Sequence, residues 1–408
     1  MFEQFPHFDM SRKISRMHLR WLIWILCFFG WRSHRNRLEK IGMDGIRPPY
    51  LLLCNHNAFM DFKVATRATA PHRVNYVVAI DGYLHREWLL RFIGCICKRK
   101  FTRDITLIKQ LKTVVGNGDI AAIYPEARYS LCGTTAVLPD SLGKVAKYLK
   151  VPVVTLICHG HHINSPFWNL HDRGVKGTEA TMKCLFTAEQ LKNSSPQEVN
   201  EAIRKEFQYD DYRWQLQNNV HVRYGRRAEG LHKVLYQCPA CGTEYRMTSH
   251  DSLIECTQCG KRWNLDELGR LSAIDGKTEF SHIPDWYEWE RANVRKEVEA
   301  GTYHFECDVH VDTLPKDRYI PLGKGRLVHD MDGFTLKGNY DGSDYEVRWK
   351  ASELYSCHIE YEYLGKYGDC VDLNTLEDTF YIYPENCDFS VTKFALATEE
   401  LYSHHLRQ

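Results

Sequence analysis

Between Tyr50 and about Leu156 the chain alternates short apolar runs with amphipathic stretches, and this rhythm restricts its fold more than any other feature. The apolar runs Tyr50 to Cys54, Asn75 to Ala79, Ile120 to Tyr124 and Val151 to His159 read as strands. Helices are predicted after His56, through Arg86 to Ile93, over Asp104 to Asn117 and over Ser141 to Leu149. This order implies an α/β domain, a mixed sheet covered by helices. Residues 187 to 206 read as two short helices, one opened by Thr187 and the next by Ser195, with Pro196 at its first position.

The chain changes character at Cys238. Cys238-Pro239-Ala240-Cys241-Gly242 and Cys256-Thr257-Gln258-Cys259-Gly260 are two knuckles with 14 residues between the inner cysteines. Glycine after each second cysteine lets the backbone turn its N–H groups toward sulfur, and four thiolates satisfy a tetrahedral Zn2+. The spacing resembles a small four-cysteine zinc ribbon, expected over residues 231–270 with structural zinc held by Cys238, Cys241, Cys256 and Cys259.

A charged helix is predicted at Asp285 to Ala300 within a helical linker, 271–300. Alternating runs follow at 303–307, 334–337, 345–349 and 379–383, separated by turn signals such as Asp332-Gly333 and Asp341-Gly342, and Asp388 to Leu406 is helix-like. Residues 301–408 are therefore expected as a β-rich barrel closed by a helix. They resemble a pleckstrin-homology domain in topology.

Charge is uneven: residues 301–408 carry −10 and the remainder +11, although the whole chain is only +1. An acidic domain is repelled by an anionic membrane, so docking of a protein partner or regulation is the expected role of 301–408, and headgroup binding the less favoured one. The basic remainder is the candidate for an anionic partner. Fifteen cysteines, an odd number without a secretory cleavage pattern, favour a reducing compartment.

Trp21 to Trp31 is eleven residues without a charge. As a helix it spans roughly 16 Å, about half of a bilayer core, too short to cross. Arg12, Lys13, Arg16 and Arg20 precede it, Arg32, Arg35 and Arg37 follow, and Trp21, Trp24 and Trp31 lie within. Tryptophan and arginine favour the headgroup layer, so residues 1–34 read as a segment lying in one leaflet of an anionic membrane surface, on its cytoplasmic face, peripheral or monotopic. An apolar helix packed on the domain that follows is the alternative.

His56-Asn57-Ala58-Phe59-Met60-Asp61 stands at the exit of the first predicted strand, with four residues between an imidazole and a carboxylate. By itself this spacing is weak. After it come Ile96-Cys97-Lys98-Arg99, then Ile123-Tyr124-Pro125-Glu126-Ala127-Arg128-Tyr129-Ser130, then Val151-Pro152-Val153-Val154-Thr155-Leu156. Four blocks in this order resemble the glycerolipid acyltransferases, which include the lysophosphatidic acid acyltransferases, over roughly residues 35 to 225. Two departures stand out: Ala127 replaces the family's usual glycine, and Tyr129 occupies its arginine position, with Arg128 one place early.

The resemblance implies an acyltransferase domain at 35–230 that moves an acyl chain from acyl-CoA or acyl carrier protein to a hydroxyl of a lysophospholipid or glycerol phosphate. His56 is then the general base and Asp61 the carboxylate that fixes its tautomer. Arg99, Lys100, Arg103 and Arg128 become candidate phosphate ligands, and Glu126 a member of the acceptor site. A solvated basic loop and a helix-start carboxylate are the plainer readings of these residues. Asn55 reads as a cap for the helix that carries Asp61. Cys158, His159, His161 and His162 invite a metal reading, but adjacent His161 and His162 do not easily share one ion, and ordinary loop residues are the preferred assignment.

Three function classes remain: an acyltransferase, a catalytically degenerate lipid-binding scaffold with partner-recruiting C-terminal domains, and a nucleic-acid binder using Arg223, Arg226 and Arg227. The last is disfavoured because Lys261 and Arg262 of the ribbon are offset by Asp266 and Glu267.

Overall fold

In the computed structural model, which describes residues 5–18 and 20–407, the alternating region is built on a seven-stranded sheet. Residues 1–4 and 19 of the expected N-terminal segment, and residue 408 of the expected C-terminal domain, lie outside the described residues. In chain order the elements are α1 (Arg20–Ser33), β1 (Arg37–Ile41), β2 (Leu51–Cys54), α2 (Met60–Thr69), β3 (Val74–Ala79), α3 (Glu87–Phe92), β4 (Ile96–Lys98), α4 (Ile105–Gly116) and β5 (Ile120–Ile123). They continue as α5 (Leu142–Leu149), β6 (Val153–His159), α6 (His161–Asn164), β7 (Glu179–Phe186), α7 (Ala188–Asn193), α8 (Pro196–Glu206) and α9 (Asp211–Gln217).

The sheet order is β1-β7-β6-β2-β5-β3-β4. Strands β6, β2, β5, β3 and β4 run parallel, β7 is antiparallel to β6, and β1 follows β7. A central parallel strand is covered on both faces, so it needs no polar alternation. Strand β2 obeys this: Leu51, Leu52 and Leu53 are all 1% exposed or less, each burial worth roughly 2 kcal/mol. Leu52, Cys54, Val154 and Leu156 face one core with Val64 and Ala65 of α2, while Leu51, Leu53, Val153 and Ile157 face another with Leu111 of α4, Ala146 of α5 and Val199 of α8.

Helices α7 and α8 begin with reciprocal capping boxes, Thr187 with Gln190 and Ser195 with Glu198, as their sequences predict. Strands β1, β4 and β7 lie outside the predicted set: β4 is only three residues long, and neither Arg-Leu-Glu-Lys-Ile nor the partly buried β7 has a long apolar run to mark it.

The four-cysteine region folds as a small antiparallel sheet, β8 (Met247–His250), β9 (Leu253–Cys256), β10 (Arg262–Leu265) and β11 (Leu271–Ala273). Helix α10 (Ile283–Glu299) is a core element rather than a free linker, since Trp286, Tyr287, Glu290, Val294 and Val298 are buried. Trp286 meets Trp263 of β10 edge to face at 5.0 Å.

The C-terminal region is β12 (His304–Thr313), β13 (Ile320–Asp330), β14 (Gly333–Tyr340), β15 (Ser343–Lys350), β16 (His358–Glu360), β17 (Cys370–Asn374), β18 (Thr379–Glu385) and α11 (Val391–Arg407). It is an antiparallel sheet of order β15-β14-β13-β12-β18-β17-β16 with α11 packed on it. Asp341 and Gly342 both take positive φ between the paired Tyr340 and Ser343, the geometry of a two-residue hairpin turn. The expected closed barrel is instead an open sheet, its end strands β15 and β16 unpaired with each other among the described residues. Strand β16 is three residues long, and its neighbourhood turns to the α/β body: Arg128 donates to the Cys357 carbonyl, and Phe167 packs on His358.

This sheet shares its core with the α/β body. Leu314, Cys370, Tyr381 and Tyr383 join the cluster of β2 and α2, and Phe101, Ile163 and Phe167 join the cluster of β12 to β18.

Helix α1 packs on α2 through buried Cys27, with Arg67 of α2 lying over the rings of Phe28 and Trp31. It leaves Trp21, Ile25, Leu26 and Phe29 exposed, Phe29 to 67%. Among the described residues no helix is long and apolar enough to cross a membrane.

Candidate active site

Strand β2 lies between β6 and β5, and residues 55 to 61 leave its C-terminal end. Asn55 extends the ladder with its side chain, accepting from the Cys158 amide at 2.8 Å and donating to the Cys158 carbonyl at 2.9 Å. It therefore ties β2 to β6 and does not cap α2, whose N-cap is Phe59. The loop is turned instead by Asp61, whose Oδ2 accepts from the amides of Asn57 and Ala58 at 2.5 and 2.8 Å.

Asp61 is fully buried. Burial pushes its carboxyl pKa up, but hydrogen bonding and charge from His161 and His56 outweigh this and hold it at about 2. His56 Nδ1 lies 3.5 Å from Asp61 Oδ2, and His161 Nδ1 lies 2.5 Å from Oδ1. The His56 ring stacks on Tyr124 at 4.2 Å and meets a tilted Tyr129 ring at 4.4 Å between centroids. Its side chain is 23% exposed while Nδ1 is buried, so the exposure falls on the remainder of the ring, which carries Nε2. A partly exposed imidazole backed by a buried, ionised carboxylate can take a proton from a bound hydroxyl.

The backbone of His56 is held from both sides by the block that follows β5. Glu126 Oε1 accepts from the His56 amide at 3.0 Å, and the Ser130 amide donates to the His56 carbonyl at 2.8 Å. Glu126 Oε2 accepts from the Ala136 amide and from the Tyr209 hydroxyl, and burial pushes this carboxyl up to about 7 against those bonds. Glu126 is thus a fully buried brace of the loop that carries His56, with both oxygens engaged by protein donors. Ala127 takes φ +56°, so this chain keeps the backbone conformation for which glycine is suited while carrying a methyl group there.

Three of the four cations read for an acceptor's phosphate are engaged by the protein itself. Arg99 is 2% exposed and donates to the carbonyls of Leu314 and Pro315 and to the Thr379 hydroxyl. Lys100 sits between Asp81 and Asp372 at 3.0 and 3.2 Å; burial pulls its pKa down, and these carboxylates more than reverse that. Arg128 pairs with Glu399 of α11 at 2.6 Å, and Arg291 of α10 holds the other oxygen of Glu399 at 2.7 Å. All three cations reach into the C-terminal sheet or its helix. The crevice around Lys100, Asp81, Asp372 and Thr379 holds no water-sized space. Arg103 alone of the four is exposed, and among the described residues it makes no ion pair.

The structure divides the run Cys158 to His162. His161 joins Asp61, whereas Asp211 accepts from the amides of Gly160 and His162 and lies 3.5 Å from His159. Cys158 is buried beside Asp61 and His161, where burial raises its thiol well above the usual range. His161, singled out in the sequence only as one of a run of loop residues that could line the cleft, reaches Asp61, while Tyr124, Tyr129 and Tyr209 are residues around His56 and Glu126 that sequence reasoning does not single out as site residues. The dense histidine run is the available signal for His161.

The four cysteines of the small sheet come together. Cys238 and Cys259 sulfurs are 3.8 Å apart, as are those of Cys241 and Cys256. Four Zn–S bonds of about 2.3 Å make a tetrahedron with edges of about 3.8 Å, so the donor set fits a metal such as zinc. Gly242 and Gly260 take positive φ, and their amides donate to the carbonyls of Cys238 and Cys256, closing each knuckle.

Residues 35–159 match the Acyltransferase family, a span that contains His56, Asp61, Arg99 and Glu126. Among solved structures the chain is similar to the 1-acyl-sn-glycerophosphate (LPA) acyltransferase PlsC from Thermotoga maritima, at 15% identity and a TM-score of 0.38. That similarity covers 46% of this chain and 76% of the other. Comparison with curated proteins returns no match.

Proposed function

We propose that this protein is a membrane-surface O-acyltransferase that moves an acyl chain from acyl-CoA or acyl carrier protein to a hydroxyl of a lysophosphatidate-like acceptor in phospholipid synthesis. The observation that carries the reading is His56 at the end of the central strand, partly exposed, with Nδ1 facing buried Asp61. In the step envisaged, His56 Nε2 takes the hydroxyl proton as the oxygen attacks the thioester carbonyl. The C–S bond then breaks, and the imidazolium returns its proton to the departing thiolate. Asp61 stabilises the imidazolium in between.

The exposed face of α1, with Trp21, Ile25, Leu26 and Phe29 beside flanking arginines, supports placement on an anionic membrane, and the cytoplasmic face is the side proposed. Arg103, exposed and free of an ion pair, is assigned the acceptor's phosphate in preference to Arg99, Lys100 and Arg128. Zinc is the metal proposed for the four cysteines, with a structural role. The sheet of β12 to β18 and α11 is proposed as a pleckstrin-homology-like unit that docks a protein partner.

A second reading, a degenerate acyltransferase domain that binds lipid without turnover, is favoured by one observation: three of the four expected phosphate ligands are held by the protein itself. Incubating the full chain with labelled acyl thioester and a panel of lysolipids separates the two. Acylated product and free thiol support the enzyme; lipid binding without thiol release supports the scaffold.

A further inference from the structure

Asp61 serves two imidazoles, not one. Its Oδ2 takes the amides of Asn57 and Ala58 and faces His56 Nδ1 at 3.5 Å, while its Oδ1 is taken by His161 Nδ1 at the shorter 2.5 Å. A carboxylate held at about 2 is ionised at neutral pH, and an ionised carboxylate only accepts, so the proton of this bond sits on His161 Nδ1. His161 is 1% exposed, and among the described residues its Nε2 has no hydrogen-bond partner.

The aim of His161 is fixed by its own turn. Gly160 takes φ +86°, and a Cβ there would meet the Trp214 ring at 2.8 Å. Asp211 Oδ2 accepts from the amides on both sides of His161, Gly160 at 3.1 Å and His162 at 3.0 Å. His161 also lies two residues beyond the span that matches the Acyltransferase family.

We propose that His161 is a positioning residue of the acyl-transfer site, holding Asp61 through its Nδ1–H so that the carboxylate's other oxygen serves His56. This rests on the reading of His56 as the base. The bond also divides the carboxylate's charge between two rings, so that removing it leaves more of that charge to His56. The groups around His56 are Asp61, the Tyr124 and Tyr129 rings, and Glu126 at its amide; Cys54, Cys158 and His161 lie around Asp61. Lys100, Asp81 and Glu360 act on Tyr129 from its side.

The test is histidine-ring NMR on the full-length protein, for the native chain, His161→Asn and His161→Leu, joined to pH profiles of acyl transfer. The native protein should show a hydrogen-bonded proton on His161 Nδ1. His161→Asn keeps a donor at that place and should leave the His56 titration midpoint unmoved. His161→Leu should raise it by about one pH unit, the scale of a nearby carboxylate's effect. The acid limb of kcat/KM should move by the same amount, with kcat roughly tenfold lower and KM unchanged. An absent Nδ1 proton, or equal midpoints in the Asn and Leu variants, overturns the proposal. Should His161→Leu fail to fold, the native Nδ1 proton and the Asn variant still decide it. NMR shifts as expected in a protein without turnover would leave the arrangement standing and remove the acyltransferase reading instead.

Discussion

His56 and Arg99 both follow parallel strands of one sheet, β2 and β4, yet the molecule treats them in opposite ways. The imidazole keeps part of its ring exposed, with a buried carboxylate behind it. The guanidinium is sealed, its Nη1 and Nη2 donating to two carbonyls and a hydroxyl of the C-terminal region while Nε is buried without a partner among the described residues. Lys100 and Arg128 share the fate of Arg99. A place at a strand end therefore does not by itself make a ligand site. What decides is whether the group's hydrogen-bonding capacity is left open or spent within the protein.

Stability measurements test this contrast most strongly on the sealed side. Replacing Arg128→Met leaves buried Glu399 short of one charge partner, and denaturant unfolding should show a loss of about 3–5 kcal/mol. An unchanged unfolding midpoint with a raised KM would return Arg128 to the acceptor site.

On the open side, Asp61 is the anchor, and acid is the probe. Its folded pKa of about 2 lies below the ordinary 3.8, so its contribution is present above pH 4 and is lost as pH falls from there through 2. The full contribution is about 2 kcal/mol. Between pH 5 and pH 2.5 the native protein should lose about 1.5 kcal/mol of this, the larger part, relative to Asp61→Asn; parallel losses in both would contradict the anchoring.

A smaller effect belongs to Ala127. Glycine there relieves the left-handed strain at some entropic cost in the unfolded chain, and thermal unfolding of Ala127→Gly should show a gain of about 0.5–1 kcal/mol. Destabilisation instead would mean that the methyl group is needed for packing. Smallest in stability is Arg103→Ala, expected within about 0.5 kcal/mol of the native protein. Its KM for a phosphorylated acceptor should rise roughly tenfold at low salt and less at high salt. A salt-independent KM would sharpen the contrast further by leaving none of the four cations to the acceptor.

Sequence disclosed the open half because its parts are local. His56 and Asp61 have only four residues between them and share one turn of chain, β2 announces itself by Leu51-Leu52-Leu53, and the cysteine knuckles carry their own glycines. The sealed half was illegible because its partners are remote: Leu314 and Thr379 lie more than 200 residues from Arg99, and Glu399 more than 200 from Arg128. No periodicity records such pairings. The charge imbalance did hint at them, since the acidic C-terminal region supplies Asp372 and Glu399 to the basic body. Closure into a barrel was overread for a related reason: alternation predicts strands, not what covers the edge of β16. Asn55 misled because its type suits a helix cap equally well as a bridge to the Cys158 backbone.

The most direct test is product analysis with a labelled acyl thioester and a panel of lyso-acceptors, run on the native protein and on His56→Ala. The account predicts an acylated lipid and free thiol from the native chain, about 10²-fold less from the variant, and the same unfolding midpoint in both. Equal turnover in the two proteins, or thiol release by neither, would contradict it.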